Sequence, residues 1–214
     1  MRICRGTITG FLLLNLAHGL LADDPKPPAD PWEVTIRKFE EMDREQPPPT
    51  GANLFVGSSS VRMWKLNPGF PDHVCINRGF GGSQMSDAAK YVERIVIPRK
   101  PNVVVLYSGD NDIASGKTPE AVRDAYKTFR EKLHAQLPET KLVLISIKPS
   151  PSRWKFRERA LEANRLLKEE TIRVRLFFYL NFHDRAFYPA QLQNGNRFFQ
   201  SRVGTSSLRA PAHH

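Results

Sequence analysis

Four short runs of consecutive apolar residues dominate the middle of this 214-residue chain: "ANLFVG" from Ala52, "HVCIN" from His73, "NVVVLYSG" from Asn102 and "KLVLISI" from Lys141. A strand with one wet face alternates apolar and polar side chains, whereas a strand covered on both faces can be apolar throughout. Helical patterns separate the runs: Ser58 to Trp64, Ser86 to Ile97, Pro119 to Gln136 and Lys155 to Glu170. Thr118, Pro119 and Glu120 supply an N-cap, a proline at the first helical position and an acid in the first turn. This alternation predicts an α/β fold with a parallel sheet, helices on both faces and right-handed crossovers. A fifth strand is expected in "VRLFFYLN", and an amphipathic lead helix from Trp32 to Gln46, stopped by "PPP".

The chain ends differ from this body. Arg2 and Arg5, an apolar stretch from Ile8 to Leu16 and small residues up to Ala22 have the layout of a secretory signal over residues 1–22. The apolar run is too short to span a bilayer well and contains Asn15, so cleavage near Ala22, export to the periplasm or outside, and no stable membrane insertion afterwards are expected. Residues 23–50 then read as linker and lead helix. Cleavage removes Cys4 and leaves Cys75, so no intramolecular disulfide is expected. Of the formal charge of +10, Arg2 and Arg5 supply +2 and residues 171–214, six Arg against Asp184, supply +5; the remaining +3 gives no reason to expect a nucleic-acid partner.

In parallel sheets, sites form where the strands end at their carboxyl edge. There the first three runs release "GSSS", "NRGFGGSQ" and "SGDNDIASG", all rich in small and polar groups. A serine becomes a useful acyl-transfer nucleophile when it is exposed at a turn, paired with a base and set beside donors for the oxyanion. "GFGGSQ" lacks the third glycine of a dinucleotide loop, and "GSSS" has no Lys-Ser/Thr partner for phosphate. The acids of "GDND" are read as turn or helix-cap residues, and neither cofactor nor metal is expected.

Gly57-Ser58-Ser59, Gly82 and Gly109-Asp110-Asn111-Asp112 resemble the first three blocks of the SGNH, or GDSL-like, hydrolases, with Ser58 where the family usually has Asp. The resemblance runs from about Asn53 to Glu170. It implies a flavodoxin-like three-layer sandwich over residues 51–170 and hydrolysis of a small-molecule or glycan ester. It further implies Ser59 as nucleophile, with the Ser59 N–H, the Gly82 N–H and the Asn111 side chain as oxyanion hole. The family's D-x-x-H segment, which carries the base and its orienting acid, is absent, so the catalytic Asp and His are unknown. Losing the histidine of a serine triad costs about 10⁶-fold in turnover, roughly 8 kcal/mol of barrier. A relative that only binds acylated or glycosidic ligands is therefore the alternative to an esterase, with the basic tail on an anionic lipid or polysaccharide as a weaker third.

The histidines give no obvious substitute. His73 reads as a turn residue, His134 as lying on a solvated helix face, His183 as adjacent to Asp184 rather than spaced from it, and His213 and His214 end the chain. Residues 171–214 have one acid and six Phe, and read as an atypical tail replacing the final block; a shift of reading frame after Glu170 is one account of it. Near the site, Trp64 is expected to pack on the sheet, Arg62 to pair with an acid and Trp154 to be structural. "KPSPSRWKFRE" is expected to form a substrate wall.

Overall fold

The computed structural model describes residues 30–66, 70–71, 73–148, 150–172 and 177–180. The expected signal and most of the linker lie outside them. Helix α1 (Glu33–Glu45) precedes β1 (Asn53–Gly57), and a single turn, α2 (Ser59–Arg62), leads away from it. Then come β2 (Cys75–Gly79), α3 (Met85–Ile95), β3 (Val103–Tyr107) and a short α4 (Asp110–Ala114). The long α5 (Pro119–Gln136), β4 (Lys141–Ile145), α6 (Arg157–Ile172) and β5 (Phe177–Leu180) complete the described chain. All strand pairs are parallel, in the order β2-β1-β3-β4-β5, which is the flavodoxin-like order. No helix among the described residues is long and apolar enough to cross a membrane.

The continuous apolar runs are strands buried on both sides. β1 and β3 are buried along their whole length. Leu54, Val56, Val104 and Leu106 face one helical layer, built on Tyr91, Tyr126, Phe129 and Leu167; Phe55, Val103, Val105 and Val143 face the other, with Val61 and Leu66. The sandwich of three layers follows directly. Helix α5 matches its expected bounds, and Thr118 Oγ1 accepts the Ala121 N–H at 3.2 Å. Helix α6 starts at Arg157, because Pro151–Phe156 ahead of it forms a tighter 3₁₀ segment.

The lead helix is part of the sandwich rather than an appendage: Ile36 is wholly buried, Trp32 meets Phe80 edge-on at 5.7 Å, and Asp43 forms a buried ion pair with Arg78 of β2. At the other end, α6 continues to Ile172, and β5, within the run "VRLFFYLN" where a fifth strand is expected, pairs with β4.

Candidate active site

The carboxyl edge of β1 is shaped by two glycines. Gly57 has φ +147°, and a Cβ there would stand 1.9 Å from the Tyr107 carbonyl oxygen. At the end of β2, a Cβ on Gly79 would stand 2.1 Å from the Arg62 backbone nitrogen. Only bare backbone lets α2 sit this close to β2. Ser58 is buried and its hydroxyl faces Asp110 Oδ1 at 3.5 Å. Ser59, half-buried, follows as the first residue of α2, and neither its hydroxyl nor its N–H has a hydrogen-bond partner among the described residues. The helical pattern expected up to Trp64 ends at Arg62.

The second and third loops are joined by hydrogen bonds. Asn111 Nδ2 donates to the Ser83 carbonyl at 2.8 Å, leaving its second amide hydrogen uncommitted there. Its Oδ1 accepts from Arg153 at 2.8 Å, and these two contacts fix which way the amide faces. The Met85 N–H donates to Asp112 Oδ2 at 2.9 Å, and Gln84 Nε2 to Ser115 Oγ at 2.9 Å. Asp112 thus caps the start of α3, as a cap reading of "GDND" expects. Burial raises its carboxyl above the ordinary range, against the lowering effect of the Met85 N–H and Lys117. Gly82 has φ +86°, is exposed, and its N–H makes no hydrogen bond among the described residues.

The fourth loop reaches the same edge. Arg153 Nη1 lies 3.0 Å from Asp110 Oδ2, and Lys148 Nζ lies 3.2 Å from Ser60 Oγ. The loop after β4, where a substrate wall is expected, therefore runs along this edge. Trp64 packs edge-on against Phe55 at 5.3 Å, as expected. Two expectations fail. Arg62 has no carboxylate within ion-pair distance among the described residues; its guanidinium lies along the backbone of Gly81 instead. Trp154 is 59 % exposed rather than packed, with the Arg157 guanidinium 5.4 Å from its ring. Sequence reasoning missed the contacts of Lys148 and Arg153, because loop side chains that cross between strands leave no periodic signal.

No histidine reaches Ser59 among the described residues. His73 precedes β2 and His134 sits in the last turn of α5, which leads into β4, so both lie toward the amino edge of a parallel sheet. His183, Asp184, His213 and His214 lie outside the described residues. No cluster of three metal-ligating side chains occurs among the described residues.

A family model, the GDSL-like Lipase/Acylhydrolase family, matches residues 56–199. The chain belongs to this family. The match continues beyond Glu170, as β5 does. No curated protein matches the chain. Among solved structures, a GDSL-like lipase from Bacteroides thetaiotaomicron is 18% identical over 70% of this chain and 78% of that one, with TM-score 0.58. A catalytic mutant of Axe2, an acetylxylan esterase from Geobacillus stearothermophilus, is 14% identical over 75% of this chain and 98% of that one, with TM-score 0.54. At such identities these structures speak for the shared fold. Family membership makes this chain a GDSL-like acylhydrolase or esterase by descent, with a small-molecule ester as the substrate class.

Proposed function

We propose that this chain is an exported ester hydrolase acting through a Ser59 acyl-enzyme. The Ser59 oxygen attacks the acyl carbonyl and gives its proton to a base, the alcohol leaves with a proton, and water then cleaves the acyl-enzyme to release the acid and restore the serine. The negative oxygen formed at each addition is held by the Ser59 N–H, the Gly82 N–H and the second amide hydrogen of Asn111. The observation that carries this reading is that the Ser59 hydroxyl and N–H and the Gly82 N–H, at adjoining strand ends, have no partner among the described residues. Unpaired donors at an exposed turn suit a ligand oxygen. Export rests on the amino-terminal pattern of residues 1–22.

A specific observation favours a second reading: no histidine lies on the site edge among the described residues, so the fold could serve as a binder of acylated or glycosidic ligands. Trp154, exposed beside Arg153, offers such a ligand an apolar face. Hydrolysis of a short activated acyl ester by the purified full chain, compared with Ser59→Ala, separates the two. The esterase reading expects the substitution to abolish turnover; equal rates in the two proteins, including no turnover in either, overturn it. Ligand binding that survives Ser59→Ala without any turnover in the wild type supports the binder.

A further inference from the structure

Acids and bases at the carboxyl edge do not match in number. Asp110 faces Arg153 at 3.0 Å and Asp112 faces Lys117 at 3.5 Å, so each acid of the third loop already has its cation. Arg62 and Lys148 have no carboxylate within ion-pair distance among the described residues. Both lie at the nucleophile turn, Arg62 within it and Lys148 against it. Lys148 Nζ touches Ser60, the neighbour of Ser59, and lies 5.9 Å from the centroid of the Tyr107 ring. Arg62 follows Ser59 by three residues, one turn of helix, and its Cζ and Nε would lie 3.0 Å from a Cβ on Gly81, the neighbour of Gly82.

Both side chains are held rather than loose. The Ser60 hydroxyl and the face of Tyr107 fix the ammonium of Lys148 over the loop. Gly81 matters because any side chain there would displace the Arg62 guanidinium. Their alignment next to the reactive turn is unlike the usual pattern on this protein, where Arg37, Arg94 and Arg165 pair with carboxylates on their own or a neighbouring helix.

We propose that Arg62 and Lys148 form an anion subsite beside Ser59, so that the preferred ester carries a carboxylate or phosphate group close to its ester bond. This rests on Ser59 marking the ester position, as proposed above. An arginine fork receives either group through paired hydrogen bonds, and a lysine adds a point charge. A unit charge near each cation in a water-facing site gains about 1 kcal/mol, close to fivefold in affinity, so the pair yields about 25-fold over a neutral ester of equal shape. The preference weakens with salt, because both cations are in reach of solvent ions.

Binding to the Ser59→Ala protein tests this without requiring turnover. The probes are monomethyl succinate, its neutral near-isostere methyl levulinate, and 2-acetoxyethyl phosphate, each titrated by calorimetry at low and high salt. The subsite expects one or both anionic esters to bind at least about tenfold more tightly than methyl levulinate, with the margin shrinking in high salt. The order of the two anionic esters assigns carboxylate or phosphate. Adding Arg62→Gln and Lys148→Met removes the margin, whereas Arg62→Lys with Lys148→Arg keeps much of it, which separates loss of charge from loss of folding. Equal binding of charged and neutral probes overturns the subsite, as does no detectable binding of any probe or a margin that survives the Gln and Met substitutions. An inactive wild type whose Ser59→Ala form still prefers the anions defeats the esterase reading and leaves the subsite standing.

Discussion

The two sides of the site are built by different means. The nucleophile turn is a single turn of helix, kept in place by what is missing: without a Cβ at Gly57 and Gly79, backbone meets backbone at the ends of β1 and β2. The loops after β2 and β3 are kept in place by what is present, a series of hydrogen bonds joining Asn111 to Ser83, Asp112 to Met85 and Ser115 to Gln84. Steric exclusion leaves no partial solution, whereas hydrogen bonds can be lost one at a time. Damage should therefore be all-or-none on the first side and graded on the second.

The largest effect tests the steric side. Gly57→Ala places a methyl group 1.9 Å from a backbone oxygen, at a φ of +147° that residues with side chains rarely adopt. Neither β1 nor β3 can yield, since both are buried along their length. Denaturant unfolding should show a loss of at least about 4 kcal/mol or no folded protein at all. A loss below about 1 kcal/mol would mean that the turn can move aside, and the contrast between the two sides would fail.

Next comes the buried cap. Asp112→Ala leaves the Met85 N–H without its acceptor in a dry place, for an expected cost of about 2 kcal/mol. Asp112→Asn keeps an acceptor oxygen and should cost much less. The two also differ in pH response. Burial holds the Asp112 carboxyl above its ordinary range, so the native state binds this proton more tightly than the unfolded chain does. The stability owed to this group is fully present below the ordinary carboxylate range and falls as pH rises through the range between the unfolded and native values. Unfolding free energies measured across the acid range should lose that downward component in Asp112→Asn; an unchanged profile would assign the pH response to other groups.

The same contrast explains how far the sequence could be read. The strands were legible because burial on both faces leaves consecutive apolar residues, and α5 because Thr118 and Pro119 mark its start. The glycines and serines of the first two loops pointed to a site because their neighbours permit a tight turn. Helix α4 was not expected as a helix: five residues starting in "DND" carry no amphipathic period, and Asp112 takes its place there through Met85, 27 residues away in the chain. Long-range polar contacts of that kind also hid the surplus of Arg62 and Lys148, since pairing with an acid depends on which loops meet. Strand β5 was legible in the same way as the other strands: it lies within the apolar run "VRLFFYLN", although acids nearly vanish from the chain beyond residue 170.

The smallest effect sharpens the comparison most. Gln84 Nε2 and Ser115 Oγ form an exposed link between the second and third loops, and Ser115 Oγ in turn donates to the Asp112 carbonyl at 2.9 Å. Exposed hydrogen bonds exchange with water at little net cost, so Ser115→Ala alone should lower stability by about 0.5 kcal/mol. A double-mutant cycle with Gln84→Ala decides whether the loops act as one unit. If each hydrogen bond acts alone, the coupling stays below about 1 kcal/mol and the Asp112→Ala cost is the same with or without Ser115. If the loops are a cooperative network, removing Ser115 first makes the Asp112 substitution cheaper, because the cap on α3 is then already loosened. That second result would make both sides of the site all-or-none, held by sterics on one and by a network on the other, and would place the Asn111 amide under the control of residues that never meet the substrate.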